Sequence, residues 1–75
     1  MQIIYINQED RFTVRMTPEA CEQYPEGAFS PTLSPAVYAL RIEGSGQDTM
    51  TYFLIPAGDG AFHWIPMDET RLARR

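Results

Sequence analysis

Lysine is missing altogether from this chain of 75 residues, and cysteine, histidine and tryptophan occur once each, as Cys21, His63 and Trp64. Each shortage removes a class of function. A single cysteine builds no intramolecular disulfide framework, and a leftover thiol fits a reducing compartment better than secretion, so a cytoplasmic location is expected. One Cys and one His fall short of the four ligands of a closed zinc site. Asp48, Asp59 and Asp68 stand apart at turns and a helix start, without calcium-loop spacing, and no metal is expected. Cys21 and His63 could form a thiolate–imidazole pair only if the fold brought them together and a third group oriented them; no local motif does so, and no catalytic residue is assigned. Gly44-Ser45-Gly46 is not followed by a helix carrying a lysine, so it is a loop and not a phosphate cradle, and no cofactor or small-molecule ligand is implied.

Long apolar runs are also lacking. None approaches the roughly 18 residues of a membrane span, and Met1 leads into Gln-Ile-Ile-Tyr-Ile without the charged and cleavable parts of a signal peptide. Positive charge is scarce: ten acids face six bases, all Arg, for a net charge of −4. Residues 1–67 hold eight acids and three Arg, while the last eight residues are net positive by one, too short a stretch for a membrane anchor. Duplex binding needs clustered positive charge to displace counterions, so nucleic acid is a disfavoured partner. Arg11, Arg15 and Arg41 on outward strand positions, with aromatic rings for stacking, leave single strands the least poor polymer option, but against an acidic domain they supply weak electrostatics.

What is present describes a folded single domain over residues 1–75. Hydrophobic residues make up 44% and aromatics 12%. A domain this small buries only about 60% of the surface its unfolded chain exposes, so every large apolar side chain counts.

Periodicity is mostly that of strands. Ile3 to Ile6, the polar Asn7 to Asp10, and the alternating Arg11 to Thr17 predict a hairpin over 2–17 with Tyr5 opposite Phe12 and Ile3 opposite Val14. Thr17 is a capping residue, Pro18 suits a first helical position and Pro25 forbids continuation, which predicts a short helix of at most two turns over 18–24. The Pro-rich stretch 25–35 reads as an irregular strap. Residues 36–67 predict a three-stranded meander, and 68–75 a short tail or helical turn. The fold class is therefore α+β, dominated by about five antiparallel strands, as an open sheet or a partly open small barrel.

Two loops set the faces of the meander. A five-residue loop at 44–48 would place Ile42 opposite Met50, Leu40 opposite Tyr52 and Tyr38 opposite Leu54, making the even-numbered face the core. At 57–61, a type I turn with Gly60 in the left-handed region places Leu54 opposite Trp64 and Tyr52 opposite Pro66. A two-residue Asp59-Gly60 turn would slip that pairing and send His63, Ile65 and Met67 inward instead. The first is preferred because it unites Phe62 and Trp64 with Tyr38, Leu40, Tyr52 and Leu54 in one aromatic layer.

That arrangement leaves Val37, Phe53, Ile55, His63 and Ile65 on the second face, with Arg41 and Thr51 at its rim. Either the strap, through Ala28, Phe29 and Leu33, or the first hairpin covers these residues, or another molecule does. An apolar centre edged by an arginine suits a protein interface. The expected function is a small non-enzymatic protein-binding module, a regulator or inhibitor of the kind that phages and plasmids make against host machinery. Two alternatives stand beside it. One is an acidic mimic of nucleic acid, needing Glu9, Asp10, Glu19, Glu22 and Glu26 on one surface; the other is an architectural homodimer.

Overall fold

The alternating segments form strands in two antiparallel sheets, in a computed structural model that describes residues 1–73. Strands β1 (Gln2–Tyr5), β3 (Ala39–Glu43), β4 (Met50–Pro56) and β5 (Phe62–Pro66) make an open sheet in the order β1-β3-β4-β5. Strands β2 (Val14–Met16) and β6 (Thr70–Leu72) make a second, two-stranded sheet. The one α-helix among the described residues, α1 (Pro18–Cys21), has the expected start, with Thr17 Oγ1 accepting from the Ala20 N–H at 3.2 Å and Pro18 in the first turn. It is one turn long and unwinds through tight turns closed by the Gln23 and Tyr24 N–H groups.

The expected hairpin over 2–17 does not form. β1 pairs with β3, with Ile4 opposite Leu40, and β2 pairs with β6, with Arg15 opposite Arg71. Between them a 3₁₀ turn at Gln8–Asp10 carries the chain from one sheet to the other. The reason lies in where the two aromatic rings go. Phe12 packs edge-on against Phe53 at 5.5 Å, beside the core, whereas Tyr5 is exposed at the margin of the large sheet. The tail is also corrected: after a 3₁₀ turn at Met67–Glu69, Thr70–Leu72 is a strand, flanked by the bonds Thr17 N–H to Glu69 O and Ala73 N–H to Thr13 O. Residues 74–75 of the expected tail lie outside the described residues.

The β4–β5 turn follows the preferred register, with Leu54 opposite Trp64 and Tyr52 opposite Pro66. Gly60 has φ +86, its N–H bonds to Ala57 O, and the Ala57 N–H bonds to Ala61 O, the pattern of a type I turn closed by a bulge. The β3–β4 register differs from expectation by one residue. Its loop spans 44–49, with a 3₁₀ turn at Gly46–Asp48, so that Glu43 meets Met50, Arg41 meets Tyr52 and Leu40 meets Phe53. Gly44 is held there, at φ +88, because a Cβ would overlap the Asp48 carbonyl oxygen.

A one-residue slip exchanges the two faces of a strand, and the core changes sides accordingly. Val37, Phe53, Ile55 and Ile65 are buried with Val14, Met16 and Ala20. The even-numbered aromatic layer lies on the opposite face of the sheet. A bulge near the start of β3 completes the exchange: the Leu54 carbonyl accepts from the Tyr38 N–H at 2.9 Å although Leu54 pairs with Ala39, so two residues face one. Tyr38 and Ala39 consequently share the outer face, and Val37 turns inward.

The cover over the inner face comes from the chain itself. β2 supplies Val14 and Met16, α1 supplies Ala20, and the strap supplies the buried Ala28 and the half-buried Phe29, while Leu33 stays exposed. Gly58 fastens the strap to the β4–β5 turn, its N–H donating to Ala28 O at 2.7 Å, and a Cβ at Gly58 would overlap the Gly27 carbonyl oxygen.

Candidate functional site

Of the residues expected to form a binding surface, four belong to the core: Val37, Ile55 and Ile65 are fully buried and Phe53 nearly so. They cannot meet a partner without unfolding. Thr51 is half-buried beside Ile42, on the same inner face. His63 sits at the rim of that face, with ring centroids 5.7 Å from Phe29 and 6.4 Å from Tyr24, and with Nε2 3.2 Å from Asp59 Oδ2. Arg41 alone reaches the open face.

There Arg41 lies among the rings that the sequence assigned to the core. Its guanidinium carbon stands 4.4 Å from the Tyr52 ring centre and 5.0 Å from that of Trp64. Register explains the arrangement, because Arg41 opposes Tyr52 on β4 and Leu54 opposes Trp64 on β5, all on one face. Toward the β4–β5 turn, Tyr38 and Phe62 meet edge-on at 5.0 Å, and Arg11 caps Tyr38 at 3.9 Å. Glu43 Oε1 is 3.4 Å from Arg41 Nε, an ion pair whose geometry makes no hydrogen bond and leaves that buried Nε unpartnered. The face is therefore a half-buried aromatic floor with two stacked cations and an exposed Phe62.

Tyr38, Tyr52, Leu54, Phe62 and Trp64 are the residues that sequence reasoning missed as surface. Length of the 44–49 loop was the signal: counting six residues instead of five places Tyr52 opposite Arg41, and an arginine marks the solvent side.

Two titratable groups away from this face are shifted by their surroundings. Burial, and then the Glu22 charge, push the Cys21 thiol above its ordinary range, the opposite of an activated thiolate. Tyr24 is raised by burial and by Glu69, whose Oε1 accepts from the Tyr24 hydroxyl at 3.3 Å. Among the described residues no group of three or more His, Cys, Asp or Glu could hold a metal ion, and no helix is long and apolar enough to cross a membrane. A shallow cleft of about 270 Å³ between the strap and the β4–β5 turn is lined mainly by Met16, Phe29, Leu33, Pro35 and Pro56.

Comparison with protein-family models, with curated proteins and with solved structures finds no match for this chain.

Proposed function

We propose that this protein is a non-enzymatic protein-binding module whose contact surface is the open face of the four-stranded sheet. The observation that carries the reading is Arg41 stacked on Tyr52 and Trp64, with Phe62 exposed beside them. Trp, Tyr and Arg are the side chains that dominate interface energetics, because each buries a large area at small entropic cost when already held in place. Here the rings are held by cross-strand neighbours and the arginine by the rings. A module of this kind acts as a regulator or inhibitor by occupying a partner's surface, and its free thiol suits the cytoplasm.

An acidic mimic of nucleic acid has less behind it. Its acids fall in two parts of the chain, Glu9 and Asp10 in the first 3₁₀ turn and Glu19, Glu22 and Glu26 around α1 and the strap.

The test is affinity capture from cells of the native host, with wild type compared against Trp64→Ala and Arg41→Glu, each checked for fold by circular dichroism. A stoichiometric protein partner retained by wild type and lost from both folded variants is the expected result. Its retention by both would overturn the assignment of the face, and retention of nucleic acid in its place would overturn the partner class.

A further inference from the structure

The two margins of the large sheet differ in a way that bears on assembly. At β5, hydrogen-bonded pairing with β4 alternates from Ala57–Ala61, so Phe62, Trp64 and Pro66 carry the outward backbone groups. Pro66 has no N–H to offer, which blunts that margin. At β1, the bond Ile6 N–H to Tyr38 O sets the alternation, so Gln2 and Ile4 bond to β3 while the N–H and C=O of Ile3 and Tyr5 point away from the sheet. No strand among the described residues pairs on that side. All four residues of β1 are exposed, including Ile3 and Ile4, and the strand carries no charge, no proline and no bulge. Charge, proline and a bulge, three of the devices by which natural sheets protect an edge, are absent from it.

We infer that β1 pairs with β1 of a second copy of this chain, antiparallel about a two-fold axis through Ile4. Self-complementarity selects the occupant. In the register that sets Ile4 against Ile4, Ile3 of each copy faces Tyr5 of the other, and both outward residues of each strand exchange N–H and C=O bonds reciprocally. Moving the centre to Ile3 or to Tyr5 takes one outward residue beyond the end of the opposing strand. The side chains agree with the backbone, since isoleucine meets isoleucine on the covered side and Ile3 meets Tyr5 on the open side. No side chain of β1 is charged, so two acidic chains set no like-charged side chains against each other within the paired strands. The result is a continuous eight-stranded sheet whose two open aromatic faces lie on the same side. This inference stands on the margin of the sheet and not on the proposed contact face.

Sedimentation equilibrium with amide exchange tests it, on wild type, Ile3→Pro and Ile4→Lys. Proline at Ile3 removes an outward N–H and leaves the β1–β3 bonds intact, and lysine at Ile4 sets two like charges across the axis. Expected are a wild-type mass of twice the 8.6 kDa chain, half that mass in both variants with unchanged circular dichroism, and slow exchange of the Ile3 and Tyr5 amides only in the dimer. A wild-type monomer up to about 1 mM would overturn the inference, since the weakest useful self-association shows by then. A dimer kept by both folded variants, or Ile3 and Tyr5 amides exchanging freely within the dimer, would do the same. Should a variant not fold, the wild-type amides decide.

Discussion

Asp59 shows how one side chain closes the turn on which the sheet's faces depend. Its carboxyl is held below the ordinary range, first by the Ala61 N–H that donates to Oδ1 at 3.0 Å and then by His63 against Oδ2. A depressed folded-state value means that the stabilisation is fully present above the unfolded value, near pH ~4, and is lost as pH falls through the folded one. The group is solvent-exposed, so the effect is small. The urea midpoint should therefore fall more between about pH 5 and about pH 3 in wild type than in Asp59→Asn, in which that carboxyl no longer titrates. Equal falls would show that Asp59 does not couple to folding. The turn chemistry itself was legible in the sequence, because Gly60 supplies the left-handed residue that the preferred register needs. The ring contacts of His63 were not, since Tyr24 reaches it from the turns after α1 and Phe29 from the distant strap.

Strand positions were largely legible from alternation, and β2 is the clearest case, with Val14 and Met16 buried and Arg15 exposed between them. Partners were not. Alternation records that a strand has two unlike faces, but it does not say which strand lies alongside, and the polar run Asn7–Asp10 serves a change of sheet as well as it serves a hairpin. Face assignment failed for a related reason: β4 and β5 are apolar on both sides, so a single extra loop residue at 44–49 decides which side is core. The exchange can be tested within β5. Ile65→Ala should cost about 2–5 kcal/mol, as large-to-small changes in a packed core do. Its neighbour Trp64→Ala, on the open face, should cost about 1–2 kcal/mol through lost ring and cation contacts. Denaturant midpoints read both, and a larger loss at Trp64 than at Ile65 would place the core back on the even-numbered side.

Across the whole molecule, the second sheet and the strap cover one face of the large sheet, and among the described residues no further layer covers the other. The apolar excess noticed in the sequence was therefore real, although it resides on the opposite side from the one expected. Its electrostatics separate the two binding classes. The net charge is −4, yet the half-buried floor itself presents two arginines stacked on rings, with Glu43 already paired with Arg41. A partner seated there gains mostly from buried aromatic area, which salt does not screen, whereas a basic groove bound by the acids would gain from charges that it does. Measured by titration calorimetry, affinity for the captured partner should change by less than about tenfold when ionic strength rises from about 0.05 to about 0.5 M. A loss of several orders of magnitude over that range would move the binding surface to the acids of the first 3₁₀ turn, α1 and the strap, and with it the class of partner from an aromatic-lined protein contact to a nucleic-acid-binding groove.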